Sequence, residues 1–114
     1  MGVKTTIAVA GLGVLVLSSL PAQAQRTRFQ GITQCSRFAT VQFSRHDSAF
    51  RRFVIERVTV QDDKFAGMAG NQFVSTVYHG KAIYEAGAGP KRVRFICLHA
   101  GVTKGPVFVY TIPE

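Results

Sequence analysis

The sequence predicts an α+β domain: a short amino-terminal helix packed on a four-stranded antiparallel sheet. Three observations predict it. Residues 32–45 carry Ile32, Cys35, Phe38, Ala39, Gln42 and Phe43 at helical spacing, the chain beyond residue 50 alternates at the two-residue period of strands, and glycine-rich segments punctuate that alternation. The alternative is a five-stranded all-β barrel, because Ala39, Val41 and Phe43 fit a strand as well.

The first segment, residues 1–24, reads as an export signal peptide. Lys4 charges its head, residues 5–20 are uncharged and mostly apolar, and Pro21-Ala22-Gln23-Ala24 ends in the small-x-small pattern of a cleavage site. The apolar run falls short of the ~20 residues a membrane-spanning helix needs, and Pro21 closes it. Cleavage leaves residues 25–114 as one small domain with no transmembrane segment, placed in the periplasm or secreted.

The helix at 32–45 comes next, followed by a polar turn at His46-Asp47-Ser48, where Asp47 or Ser48 caps through its side-chain oxygen. Residues 53–61 read as a strand, with Val54, Val58 and Val60 on one side and Arg57 and Thr59 on the other. Residues 62–71 read as a loop or wide turn, with Phe65 and Met68 tucked against the core. A long strand follows at 72–86, with Val74, Thr76, Tyr78, Ala82 and Tyr84 sharing a face and Gly80 inviting a bulge. Gly87-Ala88-Gly89-Pro90 then turns a hairpin into a strand at 91–100, whose alternation buries Val93, Phe95 and Cys97. A turn at 101–106 leads to the last strand, 107–112.

Cys35 and Cys97 are the two cysteines, and export into an oxidising compartment makes them a disulfide. No Cys-x-x-Cys pair suggests redox work, and Cys35 lies too far past Ala24 to be a lipid-modified residue. A short helix lying across the sheet would let the bond pin layer to layer.

Charge narrows the partners. Lys and Arg number 14 against 6 Asp and Glu, and loss of Lys4 with the leader leaves a net +7 on the mature domain. So basic a surface favours anionic partners: an anionic envelope surface or an acidic protein. Arg51, Arg52, Lys91, Arg92 and Arg94 are the candidate anion-binding residues. The alternative reading of these positions is the solvated side of half-buried strands. Phe50-Arg51-Arg52-Phe53 has the aromatic and basic mix of nucleic-acid platforms, but export weighs against nucleic acid.

No catalytic or metal constellation emerges. Adjacent residues such as His46, Asp47 and Ser48 cannot form a triad among themselves, and His46, His79 and His99 lack ligand spacing, although His79 and His99 would meet if their strands paired suitably. The acids show no paired-carboxylate pattern, and the glycines read as turn formers. No cofactor is expected.

An early cysteine, a valine-rich strand, a glycine-turned hairpin and the aromatic-x-Cys strand Phe95-Ile96-Cys97 give residues 32–112 a resemblance to small exported bacterial two-cysteine proteins of uncharacterised function. That resemblance transfers no activity and no site residues. The expectation is therefore an exported, noncatalytic binding or accessory protein with a basic surface. A small inhibitor of a wall-degrading or proteolytic enzyme is the alternative, acting through residues 62–71 or 87–90.

Overall fold

A computed structural model describes residues 21–114. The leader expected over residues 1–24 lies outside the described residues except for its last four. One helix, α1 (Ala22–His46), packs on an open antiparallel sheet of five strands: β1 (Arg52–Ile55), β2 (Gln61–Ala69), β3 (Gln72–Ala86), β4 (Gly89–His99) and β5 (Pro106–Pro113). The α+β class is as expected. The sheet does not close into a barrel, it has one more strand than expected, and the helix is not short.

The added helix length has no apolar periodicity to betray it. Residues 22–27 are all exposed, running past the sheet on the helix-forming tendency of Ala, Gln and Arg alone. Where α1 meets the sheet it buries Gly31, Ile32, Cys35 and Ala39, one stripe at intervals of three and four residues. Gly31 is the point of closest approach. A β-carbon there would stand 2.6 Å from Tyr78 Cζ, so only glycine lets the helix settle onto that ring.

Strand order is β1-β3-β4-β5, with β2 also paired to β3. β1 and β2 share one edge of β3, each antiparallel to it. Between the pairs Ile55↔Ala82 and Gln61↔His79, residues 56–60 stand opposite only Gly80 and Lys81. The excess loops out as a 3-10 turn, Arg57–Thr59. The strand expected over 53–61 is therefore interrupted, and Val58 is 98% exposed while Val60 is buried. The expected bulge at Gly80 falls instead on its partner, and β3 pairs with β4 straight through Gly80↔Phe95. Glycine is what makes the room: a β-carbon at Gly80 would meet Thr59 O at 3.1 Å and Val60 Cα at 3.1 Å.

Residues 62–71, expected as a loop, are mostly strand β2, turning only at Gly70-Asn71. Asp62, Asp63, Lys64 and two glycines obscure the pattern because both faces of this edge strand are exposed. Phe65 and Met68 are 53% and 59% exposed rather than tucked inward. Ala66 takes a left-handed φ of 53° where the register shifts between Lys64 and Gly67, a bulge at the sheet edge.

The core lies between α1 and one face of the sheet. Ile32, Cys35 and Ala39 meet Phe53, Ile55, Val60, Tyr78, Ala82, Val93, Phe95, Cys97 and Val109. The Cys35–Cys97 disulfide, with Cα atoms 6.1 Å apart, joins helix to central strand as expected. At the far end, Phe43, Phe50, Phe53 and Tyr84 form an aromatic cluster with centroids 5.2 to 6.0 Å apart.

Candidate binding surfaces

Two surfaces of opposite character result from this layering. The charges of α1 are all of one sign, because residues 22–46 contain Arg26, Arg28, Arg37 and Arg45 and no carboxylate. At 100° per residue, Arg26 and Arg37 fall opposite the buried stripe and Arg45 on its flank, the three spread over roughly 28 Å of helix. All three are exposed and none forms an ion pair among the described residues. Arg28 instead continues the buried side of the helix, 2.8 Å from Asp62 and bonded to the Val60 carbonyl. Arg57 donates to Thr33 Oγ1 at 2.8 Å and covers the Phe29 ring.

The opposite side of the sheet is covered by no described element. Strand alternation lines it with apolar residues in register: Val77, Leu98 and Phe108 form one row across β3, β4 and β5, and Ile96 and Tyr110 the next, beside His79. Met68 and Phe73 pair at the far end, where β2 and β3 run on past β4. Phe108 and Tyr110 have ring centroids 4.6 Å apart.

The other half of this face is charged. Lys81, Arg94 and Ile112 form a row, followed by Ile83 and Arg92. Arg92 binds Glu114 at 2.9 Å and Glu56 at 3.4 Å, and Lys81 lies 3.4 Å from Glu114. The Arg92 hydrogen bond is the main cause holding the Glu114 carboxyl below its ordinary pKa. A depression of about 570 Å³ sits among His79, Lys81, Arg94, Ile96, Ile112 and Glu114.

The five residues singled out from sequence are therefore divided. Arg52, Arg92 and Arg94 share the outer sheet face, but Arg52 is held by Glu85 at 2.6 Å and Arg92 by two carboxylates. Lys91 has the opposite parity, beside Phe43 and Tyr84 at the open end between helix and sheet, where a hollow of about 390 Å³ forms. Arg51 precedes β1 and shares the alternation of Phe53, its N–H donating to the Glu85 carbonyl at 2.9 Å. Of the five, Arg51, Lys91 and Arg94 have no carboxylate partner among the described residues. Arg37 and Arg45 carry no local cluster in the sequence, and Arg26 and Arg28 form only a basic pair at the start of the mature chain; the signal common to all four is the acid-free run from residue 25 to 46.

The polar groups inside are satisfied structurally. His99 is 1% exposed; its Nδ1 accepts the Gly101 N–H at 3.0 Å, so Nε2 carries the proton and donates to Gln34 Oε1 at 2.8 Å. Gln34 in turn donates to the Val102 carbonyl. Burial pushes the pKa of His99 down. His79 and His99 lie on neighbouring strands but opposite faces, His79 being 2.9 Å from Asp63. Asp47 accepts both the Ala49 N–H, the expected turn cap, and the Tyr84 hydroxyl at 2.7 Å. Burial, then that bond, pushes the Tyr84 pKa up to about 12. Among the described residues no three metal-ligating side chains come together, and no helix is long and apolar enough to cross a membrane.

Comparison with known proteins finds no matching family, no similar curated protein and no similar solved structure.

Proposed function

We propose that this chain is an exported, noncatalytic binding protein that holds an anionic surface of the bacterial envelope through the outward side of α1. The observation that carries the reading is the acid-free helix with Arg26, Arg37 and Arg45 exposed and unpaired among the described residues. Arg52, Lys81 and Arg92 on the sheet are met by carboxylates, whereas these keep their full charge for a partner. Arg51, Lys91 and Arg94 add to the positive field, and Arg52 and Arg92 contribute least because Glu85, Glu56 and Glu114 neutralise them.

Cosedimentation of oxidised protein, residues 25–114, with anionic and neutral vesicles tests it. Each Arg near an anionic surface contributes about 1 kcal/mol, so Arg26→Gln, Arg37→Gln and Arg45→Gln together weaken binding roughly a hundredfold at physiological salt. Wild-type binding fades as salt rises. A folded triple variant binding within about twofold of wild type removes the helix from the account.

A second reading is favoured by the β2–β3 arm. It runs past β4 and exposes Phe65, Met68 and Phe73, the shape of a segment presented to an enzyme cleft. In that reading the protein inhibits a wall-degrading or proteolytic enzyme. Inhibition of lysozyme or a protease that is lost in Phe65→Ser/Met68→Ser and indifferent to salt would favour it over the helix.

A further inference from the structure

We infer that the outer sheet face is a self-association surface, on which a second copy of this chain packs sheet to sheet with the two α1 helices outermost. Met68, Phe73, Phe108, Tyr110 and Ile112 are 59%, 43%, 39%, 49% and 47% exposed on a face that also carries half-buried Val77, Ile96 and Leu98. Together they set apolar side chains of β2, β3, β4 and β5 on one face, with a polar rim around them, the layout of a surface that contributes about 800 Å² per partner to an interface of standard size. Aromatic, Met and Arg side chains surrounded by paired charges are the composition of an interface.

Charge selects the second copy as occupant. On this face Arg52, Lys81, Arg92 and Arg94 stand with Glu56, Asp63, Glu85 and Glu114, four cations and four carboxylates, although the mature domain carries +7. The excess lies elsewhere, chiefly on α1. Two copies can therefore appose these faces without bringing net charge together, and a mixed-sign face is self-complementary under a two-fold axis. A strongly acidic partner would instead find its counter-charge on the helix side.

The sheet edges are closed to the alternative, strand-to-strand association. On β5, Gln42 of α1 donates to the Val109 carbonyl at 2.8 Å and accepts the Val109 N–H at 3.0 Å, occupying the free edge at its centre. The opposite edge carries the looped-out turn at 57–59, the charges Asp62, Asp63 and Lys64, and the bulge at Ala66. Face-to-face packing at the ~10 Å spacing of a sandwich remains, giving helix, sheet, sheet and helix layers.

Sedimentation velocity decides it, on the full chain produced in an exporting bacterial host and used as that host releases it, oxidised. Wild type sediments as a dimer at about 100 µM protein and stays so in 1 M salt, since the contact is mainly apolar. Phe108→Glu/Tyr110→Glu raises Kd about a hundredfold or more while far-UV CD and the disulfide are unchanged, because both side chains lie outside the core. Ile112→Glu is the second variant, should the first fail to fold. A wild-type monomer at that concentration overturns the inference, as does a folded variant that remains dimeric.

The dimer does not depend on the envelope-binding reading, but one further consequence rests on it. With basic helices on opposite sides, the dimer bridges anionic vesicles and raises turbidity, whereas the monomeric variant binds them without bridging. Dimerisation without vesicle binding defeats the envelope reading alone; vesicle binding by a monomeric wild type defeats this inference alone.

Discussion

Replacing Cys35 and Cys97 with alanine removes a cross-link that spans 62 residues of sequence. On the chain-entropy argument, closing a loop of that length restricts the unfolded chain by about 4 kcal/mol. Cys35 and Cys97 are 1% and 0% exposed, in the same core as Ala39 and Phe95, so truncation also removes buried contacts. Alanine is the appropriate replacement, because serine would bury two hydroxyls. A domain of this size has about 5–10 kcal/mol of stability in hand, and the loss takes half of it or more. The sequence contains no tryptophan, so the assay is equilibrium urea unfolding followed by far-UV CD. With a urea slope of about 1 kcal/mol/M, the midpoint falls by about 4 M. A fall below about 1 M, with the slope unchanged, refutes the reasoning that this bond acts through the unfolded chain.

Three further predictions concern single residues. Gln42→Ala loses both bonds to Val109, lowers stability by about 1–3 kcal/mol and opens the β5 edge, read as thioflavin-positive aggregation that wild type lacks at equal concentration. His99 is held neutral when folded, with its pKa below the unfolded value, so its contribution is fully present above about pH 6.5 and declines as pH falls from there toward the folded pKa; unfolding free energy drops across that window at up to ~1.4 kcal/mol per pH unit, melting temperature falls with it, and His99→Gln flattens the slope. Gly31→Ala, which would gain about 1 kcal/mol in an exposed helix, instead lowers the melting temperature because the added carbon meets Tyr78; a gain in stability would show that the ring yields.

The helix, the long strand, the hairpin at 87–88 and the pairing of Cys35 with Cys97 were legible because each rests on a local pattern. Helical spacing in 32–45 and alternation in β3 and β4 mark residues whose one side is buried. β2 was illegible for the converse reason: with neither face covered, nothing constrains its apolar residues to alternate, and its charges and glycines imitate a loop. Val54, Val58 and Val60 misled because the looped turn shifts the alternation between Ile55 and Gln61, placing Phe53, Ile55 and Val60 inside.

The candidate sites divide in the same way. That the domain is basic, and that residues 25 to 46 lack acids, stands in the sequence; which cations are free does not. Arg92 looks as available as Arg37 until Glu114 and Glu56, distant along the chain, arrive beside it. The apolar residues of β5 likewise read as core, since alternation cannot tell which side of a strand α1 will cover.

By itself the sequence favoured the α+β class and a helix over 32–45, without excluding a strand there, and determined the central strands, the cysteine pair and the sign of the charge, all properties of local periodicity and composition. Only the tertiary structure decided that β1 and β2 share one edge of β3, that Arg28, Arg52, Lys81 and Arg92 are paired while Arg26, Arg37 and Arg45 are not, and that no described element covers one face of the sheet. Those outcomes depend on contacts between residues far apart in the chain, which register and layer packing create and no local pattern encodes.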